Sequence, residues 1–219
     1  MPSPESLKLS GTIFRKDLKK GIFMELYVNN EKIDITLENE KTIGDVLKSF
    51  EEECEKNNAT TINICLNGKN IGADEFDGIF DQPIKDDTKL ELVIVTKEEI
   101  LASFAGQKKE CHELSDQLLE LPVKLQAGKD KEATVLIAKL ADFIEKFCHT
   151  AALSALFTEV YKKISIDGKN INEFFQDFSQ ILNDFEQAIA TKDTVLMGDL
   201  AEYEISPRLL SIAKTIEEL

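Results

Sequence analysis

Patterns typical of secreted, membrane-spanning and disulfide-linked proteins are missing from this chain of 219 residues. The first residues lack the apolar stretch of a secretory signal, and no run approaches the ~20 apolar residues of a spanning helix. No Cys-x-x-Cys pair occurs among the four scattered cysteines, which are Cys54, Cys65, Cys111 and Cys148. This spacing favours reduced thiols over a disulfide framework. We therefore expect a soluble, cytoplasmic protein without membrane insertion.

Positive charge is also scarce, because 26 lysines and arginines face 41 acidic residues and the net charge is −15. An acidic surface repels phosphates, which argues against nucleic acid as the main partner and against anionic membranes. Residues 1–20 are the exception, with five basic and two acidic side chains, whereas residues 21–97 and 98–219 each have a net charge of −9. This division predicts a basic N-terminal arm ahead of two acidic domains. The arm fits both a solvated terminus and a docking segment.

The first acidic block has the pattern of strands around one helix. Alternating apolar residues predict strands at residues 23–28 and 33–37, with a hairpin turn between them. Thr42 and Asp45 form a predicted capping box at the start of a helix. Further strands are predicted at residues 61–66 and 89–95, and the last is expected to be buried on both faces.

Three motifs in this block resemble those of ubiquitin-like β-grasp proteins. They are Thr42-Ile-Gly-Asp-Val46 at the helix start, Leu66-Asn-Gly-Lys-Asn-Ile71 after the third strand, and Ile84-Lys-Asp-Asp-Thr-Lys-Leu-Glu-Leu92 at the last strand. The resemblance covers residues 21–96 and implies a ubiquitin-like β-grasp domain over residues 21–97. Ubiquitin and related sulfur carriers end in a free Gly-Gly, whereas this strand continues into a second domain. The resemblance therefore implies a recognition surface and not conjugation or sulfur transfer.

The second block, residues 98–219, shows apolar residues at helical spacing. Four stripes begin at Ile100, Val135, Phe174 and Val195, and short connections separate them. Pro122 is expected to kink or end the first helix, Asp130 to cap the second, and Pro207 to bend the fourth. The predicted fold class is therefore α+β, with an N-terminal ubiquitin-like β-grasp domain followed by an all-α antiparallel four-helix bundle.

The segment at residues 190–207 resembles the terminal helix of a group of uncharacterised bacterial helical proteins. It is also similar, more weakly, to the small bundles of flagellar export chaperones. This similarity implies a binding role in a bacterial cytoplasm, associated with flagellar or secretion machinery, and it implies no chemistry.

Two kinds of segment suggest ligand loops but fit turns better. Residues 67–71 and 167–171 share Gly-Lys-Asn-Ile, yet neither has the Gly-x-x-x-x-Gly-Lys-Ser/Thr frame of a phosphate-binding loop. Both therefore predict turns. The acid-rich run at residues 74–81 lacks the ligand spacing of an EF-hand, and its apolar residues predict a packed crossover.

Two Cys-His dipeptides are placed symmetrically about the predicted connection near residues 129 and 130. An antiparallel hairpin would bring Cys111-His112 level with Cys148-His149, where thiolate and imidazole could bind zinc. Adjacent helical residues point ~100° apart, however, so convergence of all four is difficult. A zinc site and buried thiols with edge histidines both stay open, and no cofactor or metal is assigned.

The combined pattern favours a non-enzymatic protein-binding adaptor or chaperone-like protein. We expect a groove beside the final helix to hold an apolar or basic helix of a protein partner, although the apolar residues there also fit an ordinary core. The expected contact residues are Met197, Asp199, Glu202, Tyr203, Glu204 and Leu209. The alternatives are a metal-dependent or redox enzyme that uses the Cys-His pairs, and a structural subunit of a larger assembly. The oligomeric state stays open.

Overall fold

A computed structural model describes residues 24–219, apart from the side chain of Asp130, so the predicted basic arm lies outside the described residues. The described chain has a mixed α+β structure in which a five-stranded sheet precedes a helical region. The chain divides into two compact units after Lys97. The division falls where the apolar residues change from alternating to helical spacing.

The sheet of the first unit has the strand order β2-β1-β5-β3-β4. β1 and β5 run parallel, and the other neighbouring pairs run antiparallel. The elements of this unit are β1 (Glu25–Val28), β2 (Glu31–Ile33), α1 (Ile43–Lys56), β3 (Ala59–Leu66), β4 (Lys69–Asn70), α2 (Phe76–Phe80) and β5 (Lys89–Thr96).

Both hairpin turns of this sheet adopt a left-handed backbone. Asn29 and Asn30 have φ angles of 49° and 69°, and Asn67 and Gly68 have φ angles of 52° and 82°. Two consecutive residues with positive φ form the type I′ turn, whose twist matches that of the flanking strands. The predicted turns at both places are confirmed.

The start of α1 confirms the predicted capping box. The backbone amide of Asp45 donates to Thr42 Oγ1 at 3.1 Å, and the amide of Thr42 donates to Asp45 Oδ2 at 3.0 Å. Gly44 lies against the ring of Phe80, because a Cβ atom at this position would come within 2.5 Å of that ring. The acid-rich run is therefore a packed crossover, as predicted.

The prediction that β5 is buried on both faces is wrong, because one face is buried and the other is only partly covered. Leu90, Leu92 and Ile94 are buried in the core that includes the apolar face of α1. On the alternating face Glu91 is half-buried and Val93 is 38% exposed, whereas Val95 near the end of the strand is buried. A strand can therefore carry apolar residues on both faces although one of these faces is only partly covered.

Two strand boundaries also differ from the sequence-based expectation. β2 ends at Ile33 and does not continue to residue 37, although Ile35 and Leu37 still pack against the core as partly buried residues. β3 begins at Ala59, two residues before the predicted start, because it pairs with the whole of β5.

The second unit is mainly helical. In chain order its elements are α3 (Lys97–Leu119), α4 (Leu121–Gln126), α5 (Asp130–Ser154), α6 (Thr158–Tyr161), β6 (Ser165–Ile166), β7 (Lys169–Asn170), α7 (Ile171–Thr191), α8 (Thr194–Asp199), a π-helical turn (Leu200–Ile205) and α9 (Ser206–Glu217). None of the helices within residues 24–219 is long and apolar enough to cross a membrane.

Side-chain contacts show how the long helices of this unit pack. Gln107 of α3 donates to Thr150 of α5 at 2.8 Å, and Glu110 pairs with Lys146, so these helices run antiparallel. The rings of Phe147 and Phe175 join α5 to α7 with their centroids 5.7 Å apart. The hydroxyl groups of Ser115 and Ser206, 2.7 Å apart and buried, join α3 to α9.

The predicted ends of these helices are only partly confirmed. Pro122 stands in the first turn of α4, so it separates α4 from α3, as expected. Asp130 is the first residue of α5 and not its cap, because the capping position is Lys129 and has no side-chain hydrogen bond. The break at residues 166–169 forms a small hairpin between β6 and β7, in which Asp167 and Gly168 have positive φ.

Candidate protein-binding surface

The last helical segment changes its hydrogen-bonding pattern midway. In the π-helical turn, the amide of Ser206 donates to the carbonyl of Ala201, five residues earlier. Pro207 follows and has no amide proton, so the carbonyl of Tyr203 cannot receive the usual helical bond. At the position where the sequence predicts a bend, the structure therefore has a π turn just before Pro207, and such turns are frequent at functional sites.

Arg208 holds the end of this π turn together. Its Nη1 atom donates to the carbonyl oxygen of Glu204 at 2.8 Å and to Glu204 Oε2 at 2.6 Å. Both side chains are partly buried. Glu204 is thus engaged with its own helix, and it is a weaker candidate for contact with a partner than the sequence suggests.

Gly198 allows α4 to approach α8 closely. A Cβ atom at this position would lie 3.0 Å from Pro122 Cγ and 3.2 Å from Pro122 Cβ. The proline ring therefore occupies the space beside Gly198, where the sequence predicts a groove for a partner. Val123, the next residue of α4, is 68% exposed and stands beside this contact.

The outer side of α8 and the π turn exposes apolar side chains. Val195 is 72% exposed, Leu196 40% and Tyr203 65%. Val195, Asp199 and Tyr203 recur at intervals of four residues, a spacing that keeps side chains on one face of a helix. We call the surface formed by Val195, Leu196, Asp199, Glu202 and Tyr203 the α8 surface.

Acidic groups stand directly beside the exposed tyrosine. The pKa of Tyr203 is raised by a hydrogen bond with the Glu202 carboxylate and by the negative charges of Glu202 and Asp199. Asp193 caps α8, because its Oδ1 atom accepts from the amide of Leu196 at 3.0 Å. The α8 surface therefore combines apolar contacts with negative charge.

The six residues expected to bind a partner fall into three groups. Asp199, Glu202 and Tyr203 lie on the α8 surface, and Glu204 is bound by Arg208. Met197 and Leu209 are 5% and 0% exposed and belong to the core. The expectation missed Val195 and Leu196, because their helical spacing is also that of a buried stripe.

The open face of the sheet in the first unit is a second exposed region. Lys89 Nζ lies 4.7 Å from the ring centre of Tyr27 and 2.7 Å from Glu91 Oε1. Glu25 pairs with Lys32 on the neighbouring strand. The charged side chains on this face already pair with one another, so they are less suited to bind a partner than the side chains of the α8 surface.

The Cys-His pairs do not converge on a common point. Cys111 is fully buried, whereas Cys148 and both histidines, His112 and His149, are exposed. Within residues 24–219, no three His, Cys, Asp or Glu side chains gather as a metal site would require. The acid-rich run at residues 74–81 is among these residues, so its carboxylates do not form such a group either.

The thiols lack the activation that a nucleophile or redox centre needs. Burial raises the pKa of Cys111 to about 12, and burial together with nearby glutamates raises that of Cys54 to about 12. Partial desolvation raises the pKa of Cys65, with a further contribution from the Glu91 carboxylate, and partial desolvation also raises the pKa of Cys148 although its side chain is exposed. Thiolates are the reactive form, so these four groups are poorly reactive at neutral pH.

Native labelling with a thiol-specific disulfide reagent tests this assignment. We expect Cys54 and Cys111 to resist the reagent at neutral pH, since they are buried and protonated, and Cys148 to react first because it is exposed. All four should react after denaturation. Rapid labelling of Cys111 in the folded protein would contradict the assignment and would favour the alternative hypothesis of an enzyme that uses this thiol.

Comparison with known proteins finds a match for each unit. Residues 24–96 match the family model described as the TP0873 N-terminal domain, and residues 108–215 match a domain of unknown function, DUF8042. An uncharacterized protein of Treponema pallidum (strain Nichols) is 26% identical over 184 residues, which cover 84% of this chain and 92% of that relative. No solved structure matches. These descriptions name no activity, so the ubiquitin-like and chaperone resemblances stay predictions.

Proposed function

We propose that the chain is a non-enzymatic, protein-binding adaptor whose α8 surface binds a basic amphipathic helix of a partner protein. The observation that carries this proposal is the exposure of Val195, Leu196 and Tyr203 next to Asp199 and Glu202. Core packing does not account for these exposed apolar groups. Exposed apolar groups with a polar rim are typical of protein-binding sites.

The chemistry of the α8 surface selects the partner. Tyrosine contributes apolar area and a polar hydroxyl group at low entropic cost, which makes it a frequent contact residue. The carboxylates beside it favour lysine or arginine on the partner and speed the encounter of the two proteins. A helix with aliphatic residues on one side and basic residues at its edges meets both requirements.

The fold supports an adaptor made of two parts. We assign residues 24–97 to the ubiquitin-like β-grasp class, because their hairpin, helix and strand order β2-β1-β5-β3-β4 with parallel β1 and β5 agree with the resemblance of the motifs. We assign residues 98–219 to the antiparallel four-helix bundles, with α8, the π turn and α9 as one broken fourth helix. An association with flagellar or secretion machinery depends on the resemblance alone.

The state of the cysteines and histidines favours binding over catalysis. The thiol pKa values are raised, and the two Cys-His pairs differ in exposure, since Cys111 is buried whereas Cys148 is exposed. A thiol enzyme needs a lowered pKa or an adjacent base.

Site-specific photo-crosslinking in cells of the source organism tests the proposal. A photoreactive phenylalanine analogue placed at Tyr203 should capture a defined protein through a basic helical segment. The matched control is the same analogue at Leu156, which is also exposed but lies in the turn before α6. Identical products from both positions would contradict a specific binding site at the α8 surface.

A further inference from the structure

A groove between α3, α4 and α5 has a charge opposite to that of the chain as a whole. Lys124 of α4 and Lys131 and Lys139 of α5 line this shallow groove, which has a volume of about 350 Å³. Its acidic lining residue is Glu132. Residues 98–219 have a net charge of −9, so three lysines at one groove give this part of the surface a charge of the opposite sign.

The floor of this groove is apolar. Leu136 is buried, and the neighbouring Val135 is 57% exposed although the sequence assigns it to a core stripe. Lys131, Val135 and Lys139 recur every four residues along one face of α5. Two turns of a helix span about 11 Å, so a partner segment of similar length can follow the stripe.

Two features of α5 at this groove do not stabilise the helix itself. Lys131 stands in the first turn of the helix, where a positive charge opposes the helix dipole. Val135 leaves more than half of its surface in water in the middle of a regular helix. An unfavourable charge and an exposed aliphatic residue on the same face indicate a role in binding.

We propose that this groove binds an acidic amphipathic segment of a partner protein, with an aliphatic side chain on Val135 and carboxylates near Lys131 and Lys139. The site is separate from the α8 surface and has the opposite charge preference. An acidic partner is favoured because the lysines reverse the charge of the surrounding surface and so attract carboxylates locally.

The present contacts of the lysines leave them available for such a partner. Lys139 Nζ lies 3.4 Å from Gln117 Oε1, which is a neutral acceptor. Lys124 Nζ, whose side chain is mostly covered, pairs with the exposed Glu120 carboxylate at 2.7 Å, and this bond lowers the pKa of Glu120. Surface pairs of this kind contribute little stability, so a partner carboxylate can compete for the lysine.

Titration of the full chain with a short helical peptide tests the proposal. The probe carries a leucine stripe flanked by glutamates, and the control peptide has lysine in place of each glutamate. We expect the chain to bind the acidic peptide more tightly. The variant K131E/K139E should weaken that binding by at least about tenfold, with K131E also relieving the charge conflict at the helix start.

A second variant separates the groove from general electrostatics. K162E/K163E makes the same change of charge at two exposed lysines after α6 and should leave the affinity close to wild type. The proposal is overturned if both double variants weaken binding equally, or if the wild type does not prefer the acidic peptide. It is also overturned if K131E/K139E instead abolishes a wild-type dimer in sedimentation, because the occupant is then a second copy of the chain.

Discussion

Reversing both charges of the α8 surface, in the variant D199K/E202K, should weaken binding of the partner captured through position 203 by about 10- to 100-fold. The two carboxylates stand beside Tyr203, where the edge of a basic helix would lie. Reversal replaces attraction by repulsion and mainly lowers the association rate. The effect should decrease as salt is added, because exposed charges are screened. The measurement is the association rate and the Kd at two ionic strengths.

The melting temperature of D199K/E202K is the control for its folding. Asp199 is exposed and Glu202 partly exposed, so their reversal should leave the melting temperature close to that of the wild type. The matched variant reverses Asp142 and Glu145, two exposed acids on α5, and should bind the partner normally. Unchanged affinity in D199K/E202K would show that the acids near Tyr203 do not select the partner.

The change Gly198→Leu should have the largest effect on folding of the second unit. Its Cβ atom would lie 3.0 Å from Pro122 Cγ, and the longer side chain would have to push α4 away from α8. Overpacking of this kind costs about 1–3 kcal/mol, which outweighs the gain of about 1 kcal/mol from replacing glycine in a helix. Calorimetry should therefore show a lower unfolding temperature.

The change Gly106→Leu is the matched control, because Gly106 lies in α3 and a Cβ atom there would have no neighbour within 4 Å. It should leave stability unchanged or raise it through helix propensity. If G198L is as stable as G106L, the contact between Gly198 and Pro122 does not fix the position of α4.

Local patterns in the sequence predict much of the first unit. The capping box at Thr42 and Asp45 and the turn at Asn67-Gly68 depend on neighbouring residues, and both are confirmed. The exposure of Val93 was not predictable in the same way, because it depends on whether another layer covers that face of β5. Periodicity reports which residues share a face and says nothing about what covers it.

The same distinction explains the candidate sites. Val195 and Val135 follow a helical spacing that predicts core stripes, yet both are largely exposed. Leu209 and Met197 follow the same spacing and are buried. The pairing of Arg208 with Glu204 has the ordinary i, i+4 spacing of a helix, whereas the sequence indicates the π turn only through Pro207. Tertiary packing therefore decides which members of an apolar stripe are available to a partner.

Amide hydrogen exchange of the full chain, with and without the captured partner, tests the central claim most directly. Binding at the α8 surface should slow exchange across residues 193–204, where the helix forms the contact and the π turn is stabilised. The open face of the sheet should exchange at the same rate in both states. Protection confined to the sheet, with no change at residues 193–204, would contradict the proposed binding site.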